Sequence, residues 1–314
     1  MLLVSPRSRQ IYSAMLPGLV AGHYVREEVE FDVAALCRRA QVDFLAAEVV
    51  ALDPAGRVAT LRDGRQLDFD VASVNAGSGI ALPGFPVLAV KPFEEFVERL
   101  PGAGHVAICG GGAAGVELAM ALRHRGGGEV TVFSDQPSFT PALETRVVRA
   151  LRRRGVDYRP GMRIDAVEAG PLVISGSARQ QFDHVLWATG AAALPWLRGS
   201  GLATDHAGFV QVDEMLRSVS HAHVFAVGDC AATGETKSGV HSVRQGRALE
   251  QNLRRLAAGQ ALLPYQARRR ALMLLTCGAR YAIAARGGWS AEGRWAWWWK
   301  DRIDRRWLRT LSGN

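Results

Sequence analysis

Cysteine is scarce in this chain and never paired. Cys37, Cys109, Cys230 and Cys277 are spread over 314 residues, and none stands in a C-x-x-C or other close pair. That spacing excludes a zinc knuckle and a local redox disulfide, and leaves free thiols of a reducing compartment. No run of ~18 uninterrupted apolar residues occurs, which argues against a transmembrane helix. The apolar part of Met-Leu-Leu-Val-Ser-Pro is too short for a secretory signal, so a cytoplasmic location is the default expectation. Acidic residues are in the minority: 38 Lys and Arg against 30 Asp and Glu leave a net charge of +8. Such an excess suits nucleic acid or an anionic membrane. The arginines are scattered over helices, however, as with Arg146, Arg149, Arg152, Arg153 and Arg154, and read as a solvated helix face. No nucleic-acid recognition module is visible, so no nucleic-acid partner is expected.

What is present is a chain long enough for two domains, with the 48% hydrophobic and 22% charged content of a soluble globular protein. It is organised around the stretch from Val106 to Leu122. Val106-Ala-Ile-Cys reads as a buried strand. A glycine turn follows, then a helical run with Val116, Ala119, Met120 and Leu122 on one face. Gly110, Gly112 and Gly115 fall on the G-x-G-x-x-G pattern. The first permits a tight turn, the second lets a pyrophosphate approach the backbone, and the third lets helix and strand pack closely. The helix N-terminus offers free N–H groups and partial positive charge to phosphates. A second strand, Glu129–Phe133, arrives at the right distance, and Asp135 lies 20 residues past Gly115, where a ribose-binding acid is expected. No arginine occupies Ser134 or Asp135 to meet a 2′-phosphate, so NAD is favoured over NADP.

Taken in order, Leu2–Ser5 reads as a strand and Ile11–Gly18 as a loop mixing apolar residues with turn formers. Phe31 to Ala40 is a helix candidate, with Asp32 as N-cap. Strands are expected around Val42–Leu45, Glu48–Leu52 and Val58–Arg62, with a turn at Asp63-Gly64. Asp70–Gly77 is a strand ending on small residues, and Pro83, Gly84 and Pro86 suggest a domain crossing. Beyond the glycine unit come a helix over Glu144–Arg154 closed by Gly155, a strand at Val156–Tyr158, and a buried strand over Phe182–Gly190. The last echoes the segment ending at Gly77, which suggests two related dinucleotide-binding units, one inserted in the other. Gly208–Asp213 is a short strand, and His223–Asp229 is a buried strand with an acid at its carboxyl end, where ligands sit in open α/β sheets. Val240–Ala257 reads as a helix capped by Ser238, and Leu272–Cys277 with Tyr281–Ala285 as a hairpin.

Gly-Gly-Gly-Ala-Ala-Gly-Val-Glu (110–117), Ala-Thr-Gly (188–190) and Val-Phe-Ala-Val-Gly-Asp (224–229) stand in a characteristic order. Together they resemble the FAD/NAD(P)-binding pyridine nucleotide-disulfide oxidoreductase superfamily, on its type II NADH dehydrogenase-like branch. Residues 12–19, 237–246 and 299–306 resemble a subgroup often linked to selenide, water dikinase. The resemblance implies an α/β fold of two Rossmann-like dinucleotide-binding domains, each a three-layer unit with a parallel sheet. The NAD domain (87–196) is inserted in the FAD domain (1–86 and 197–258), and a C-terminal hairpin and Trp/Arg-rich amphipathic helix follow (259–314). The family also carries a first glycine fingerprint near its N-terminus. Here Leu2–Ser5 stands where that family's second strand should be, so an N-terminal truncation of roughly 20 to 30 residues is expected. FAD binding by this chain would then lack its best phosphate site. The missing cysteine pair argues against disulfide reductase and sulfide:quinone chemistry.

On this resemblance Glu117 would orient the nicotinamide, the alternative being a surface helix acid. Gly190 and Gly228 belong to the cofactor-binding motifs. Asp229 would accept hydrogen bonds from the ribityl chain. Gly239 and Val240 open a helix whose amides could face the flavin pyrimidine and stabilise the anionic reduced ring. Tyr12, Met15 and Pro17 would line the other flavin face, or form a plain hydrophobic loop, and the Val49 backbone would contact the adenine. The implied activity is hydride transfer from NADH to FAD, then electron transfer to a quinone or similar small acceptor. The alternative is a degenerate, non-catalytic nucleotide-binding protein acting through a partner such as selenide, water dikinase. Trp295, Trp299, Ile303, Trp307 and Leu311 fall on one helical stripe interleaved with arginines. Such a helix suits a peripheral contact with the inner face of the membrane through 294–311, or packs on the flavin domain or a second subunit of a homodimer.

Overall fold

Short β-branched runs alternate with helices that bury one face, and this pattern yields parallel sheets flanked by helices. The computed structural model of the protein describes residues 1–267 and 271–312. Positions 268–270 and 313–314 of the expected C-terminal segment lie outside the described residues. Two compact units are formed. One gathers Met1–Ser8, Val33–Gly79 and Ala191–Ala271; the other gathers Arg9–Asp32, Ile80–Gly190 and the chain from Leu272 onward.

The unit holding the glycine turn is built on a five-stranded parallel sheet. Its order is Leu88–Ala89, His184–Trp187, Val106–Cys109, Val130–Ser134, Val156–Pro160. The central strand pairs with both neighbours in register, Val106 opposite Val130 on one side and His184 on the other. It is covered on both faces, which explains its unbroken apolar sequence: Val106, Ala107 and Ile108 are fully buried. Helix Ala113–His124 packs Val116, Ala119, Met120 and Leu122 into the core. Helix Pro141–Arg153 starts with a proline, whose missing N–H costs nothing there, and buries Leu143, Val147, Ala150 and Leu151. Gly155, at φ +67°, lets the chain turn back into strand Val156–Pro160. A three-stranded antiparallel meander spans Ala166–Gln181.

The C-terminal part of this unit is an antiparallel sheet followed by a helix, Arg294–Ser312. The expected hairpin forms from Met273–Cys277 and Ala279–Arg286, and a third strand, Trp289–Gly293, pairs with its outer edge. That strand escapes a sequence reading because Gly287 and Gly288 precede it and its residues Ser290 and Glu292 are polar. Leu275, Ile283 and Trp297 share one hydrophobic cluster with Val116 and Val147.

Two further expectations are corrected. Ile11–Gly18 is not a loop: Ser13–Met15 forms a 3-10 turn leading into a short helix, Leu16–Val20. Pro17 is tolerated in its first turn, and Met15, Leu16 and Val20 drive the segment inward, each 3% exposed or less. Phe31 is not helical: Glu30–Asp32 pairs antiparallel with Arg9–Ile11, and the helix begins only at Val33.

In the other unit Leu2–Ser5 pairs parallel with Asp43–Ala46, and Ala72–Val74 pairs parallel with Val224–Ala226. An antiparallel sheet of Val49–Asp53, Val58–Leu61 and Gln66–Asp68 carries the Asp63-Gly64 turn. Helix Gly239–Ala257 runs for 19 residues. Leu52, Val74, Leu197, Val210, Val224 and Ala226 form the core of this unit.

Candidate functional site

The glycine turn follows the carboxyl end of the central strand, at the point where the chain leaves for strands on opposite sides. Crevices in open parallel sheets form at such points. Gly110 has φ +123°, and a Cβ there would strike the Ala188 carbonyl. A Cβ on Gly115 would strike the Gly110 carbonyl, so the third glycine is the condition for helix and turn to meet. Gly112 is the N-cap of helix Ala113–His124, and no side chain caps that helix. A Cβ on Gly112 would have only the Ser138 hydroxyl nearby, at 3.9 Å, so its backbone lies open. Uncapped amides beneath an open backbone fit a pyrophosphate. Gly190 is exposed, with nothing near its Cα side.

Beside the turn lies a cavity of about 280 Å³, lined among others by Cys109, Gly110, Asp135, Phe85, Phe133 and Trp187. The Trp187 indole N–H donates to the Ala81 carbonyl at 2.9 Å, and Phe85 meets its ring edge-on at 5.6 Å. Asp135 is exposed at the mouth, and its side chain makes no hydrogen bond or ion pair among the described residues. Aromatic walls with an unpaired carboxylate at the rim fit the adenosine end of a dinucleotide. Burial, and then the nearby Asp135 charge, pushes the Cys109 thiol up to about 12; burial likewise pushes Cys277 up to about 12. All four cysteines are buried and unbridged.

Glu117 is on the same helix, two residues past Gly115. One carboxylate oxygen accepts hydrogen bonds from the Thr276 main-chain N–H at 2.7 Å and from its hydroxyl at 2.9 Å. Burial pushes the Glu117 carboxyl above the usual range; Lys300 and the two Thr276 donors oppose that shift. Lys300 and Asp304 are themselves buried and paired at 2.6 Å, and Lys300 also donates to the Ala14 carbonyl at 2.6 Å. The Tyr12 hydroxyl lies 3.5 Å from Asp304. Met15 is in the hydrophobic core of this unit at 1% exposure. This polar cluster has no local sequence signal, since its members are brought together from positions 12, 117, 276, 300 and 304.

The second group of expected residues belongs to the other unit. Gly228, at φ +73°, turns the chain after strand Val224–Ala226, where a Cβ would strike the Asn75 side chain. Asp229 follows and accepts from the Ser78 hydroxyl at 3.1 Å. The Gly228 N–H donates to Gln245 at 2.7 Å, and Gln245 in turn donates to Glu235 at 2.8 Å and Thr233 at 3.1 Å. The Tyr265 hydroxyl also donates to Glu235, at 2.8 Å. Gln245 falls in the 237–246 stretch that carries part of the resemblance, whereas Glu235 and Tyr265 have no local sequence signal. Ser238 stands at the N-cap but makes no capping bond; its hydroxyl pairs with His241 Nδ1 at 3.2 Å. Among the described residues no side chain caps the amides of Gly239 and Val240, and with Asp229 they fit the ribityl and pyrimidine half of a flavin. Lys237 donates to the Ala231 carbonyl and lies over the Phe209 ring at 4.1 Å. Val49 begins an antiparallel strand of this unit, half-buried.

Fold and site together define an α/β protein of the dinucleotide-binding class. The chain belongs to the pyridine nucleotide-disulphide oxidoreductase family, whose description matches residues 7–246. An NADH dehydrogenase-like protein of Mycobacterium tuberculosis is 30% identical over 224 residues, 62% of this chain and 56% of that protein. Ferroptosis suppressor protein 1 of Homo sapiens is 27% identical over 214 residues, 60% of this chain and 57% of that protein. The chain therefore spans little more than half the length of either relative. Among solved structures, the sulfide:quinone oxidoreductase of Aquifex aeolicus shares the fold at a TM-score of 0.81. It is 15% identical, with 99% of this chain and 85% of that one covered.

Proposed function

We propose that the protein is a flavin-dependent oxidoreductase that takes hydride from NADH and passes electrons to a quinone or similar small acceptor. The observation that carries this reading is the open glycine turn beside an aromatic cavity rimmed by Asp135, in a chain of this family. The flavin, when bound, supplies hydride acceptance and stepwise electron release. The chain's own share is to hold and align. Gly110, Gly112 and Gly115 expose backbone to the pyrophosphate, Asp135 accepts from ribose hydroxyls, and Glu117 orients the nicotinamide end. Asp229, Gly239 and Val240 hold the flavin side, with the helix amides facing the pyrimidine oxygen.

The acceptor is inferred from the C-terminal helix. Its buried face is Ala296, Trp297, Lys300, Asp304 and Leu308. Trp295, Trp298, Trp299 and Ile303 point outward, each 42–57% exposed. With Arg294, Arg302 and Arg306 among them, they fit an interface with anionic lipid, where a quinone dissolves. No helix of the described residues is long and apolar enough to cross a membrane.

The test is anaerobic titration of FAD-loaded protein with NADH, followed by a short-chain ubiquinone. Bleaching of the flavin band and its return on adding quinone are expected. A flavin that NADH does not bleach overturns the oxidoreductase reading. Protein that binds NADH but never takes up FAD favours a nucleotide-binding role exerted through a partner.

A further inference from the structure

One cation lines the aromatic cavity among the described residues, and no motif marks it. Arg163 lines the cavity together with Asp135 and Asp165. A guanidinium at that rim is the group a 2′-phosphate needs, because its planar fork matches phosphate oxygens. It is engaged elsewhere, however. Arg163 Nε donates to Asp165 Oδ1 at 3.0 Å, and a terminal guanidinium nitrogen lies 2.9 Å from the same oxygen. Asp165 is itself anchored from behind: its other oxygen accepts the Gly176 N–H at 2.8 Å, and its own N–H donates to the Ile174 carbonyl at 2.9 Å. The Gly176 donor and Arg163 hold the Asp165 carboxyl below its usual range, so it stays charged.

We infer that Asp165, by holding Arg163, works with Asp135 to make this pocket select an adenosine ribose with a free 2′-hydroxyl over one carrying a 2′-phosphate. Asp135 is a direct acceptor for ribose hydroxyls and repels a phosphate. Asp165 acts through Arg163: it neutralises the one cation lining the cavity among the described residues and keeps its fork turned along the Met162–Asp165 segment. Arg159, one strand residue before Pro160, is paired with Asp157 at 2.8 Å and does not line the cavity. The clamp is an exposed pair, with 73% of the Arg163 side chain accessible, and Asp165→Asn keeps a side-chain oxygen for the Gly176 N–H, so the substitution acts mainly on Arg163. This assignment rests on the reading of the cavity as the adenosine site.

The test uses the full chain and two probes without nicotinamide, ADP-ribose and 2′-phospho-ADP-ribose, with affinities measured by calorimetry at low salt. The readout is independent of flavin loading and of hydride transfer, so a failed oxidoreductase reading leaves it intact. The wild type should bind ADP-ribose more tightly by roughly tenfold, given two carboxylates at the rim. Asp165→Asn should strengthen binding of the phosphorylated probe roughly two- to fivefold and leave ADP-ribose nearly unchanged. Adding Arg163→Ala to that variant should cancel the gain. Asp135→Asn should weaken ADP-ribose and improve the phosphorylated probe. The inference is overturned by a wild type that prefers the phosphorylated probe, by Asp165→Asn leaving the preference unmoved, or by a gain that survives loss of Arg163. Absence of binding by either probe overturns the pocket assignment itself.

Discussion

Thr276 gives both of its donors to one oxygen of Glu117, the main-chain N–H at 2.7 Å and the hydroxyl at 2.9 Å. Two donors on one oxygen favour the charged carboxylate, whereas burial favours the neutral acid, and burial is the larger effect. Glu117 therefore titrates above its ordinary 4.5 in the folded protein. The consequence for stability has a fixed sign. The contribution of Glu117 is fully present below its unfolded pKa and is lost as pH rises through the folded value.

Thr276→Val keeps the main-chain donor and removes the hydroxyl. The variant should be less stable by about 1.5–3 kcal/mol at alkaline pH, where Glu117 is charged, since that is the worth of a hydrogen bond to a charged group. Its deficit should shrink as the pH falls to 4.5 and below, where Glu117 is protonated and the hydroxyl matters less. Urea unfolding at both pH values measures this. An equal deficit at each would mean that the hydroxyl supports packing and not the carboxylate charge.

Lys300 and Asp304 form the buried ion pair of the C-terminal helix, at 8% and 5% exposure. Lys300→Met should leave Asp304 buried without its counter-charge, at a cost of roughly 3–5 kcal/mol. The double variant Lys300→Met with Asp304→Leu removes both charges and should recover most of that loss, because a buried pair is worth little against apolar replacements. Chemical denaturation followed by tryptophan fluorescence reads both variants. If the double variant is as unstable as the single one, Lys300 acts mainly through its bond to the Ala14 carbonyl.

These two clusters mark the boundary of what a linear reading could reach. The glycine turn was legible because each constraint is local: Gly115 must lack a Cβ to clear the Gly110 carbonyl only five residues away. The parallel strands were legible because burial on both faces leaves an unbroken apolar run such as Val106–Cys109. Thr276 and Glu117 are 159 residues apart, and a threonine in a hairpin strand carries no mark of its partner. Arg163 and Asp165 resemble any exposed pair until the fold sets them at the cavity rim. The last helix carries two stripes at the same period, one rich in tryptophan and one holding Trp297, Lys300, Asp304 and Leu308. Hydropathy favours the first for burial, but pairing neutralises Lys300 with Asp304 and lets the second go inside.

That choice of face yields a test of its own. Trp298 and Trp299 are 57% and 43% exposed; Trp298 meets the buried Trp297 edge-on at 5.7 Å and Trp299 stacks on Trp295 at 6.3 Å, so replacing both with serine removes two ring contacts and no core side chain. Folding stability should fall by roughly 1–3 kcal/mol, the worth of the two lost aromatic pairs. Affinity for anionic vesicles should fall roughly tenfold, since the apolar area that enters the headgroup boundary is lost. Arg302→Glu with Arg306→Glu should weaken binding further at low salt, and the difference should fade at high salt as the charges are screened. Sedimentation with phosphatidylserine-containing vesicles, beside a thermal melt of each variant, separates the two effects. Wild-type and serine proteins that bind equally well would show that this helix does not meet the lipid, and its tryptophans would then need another cover.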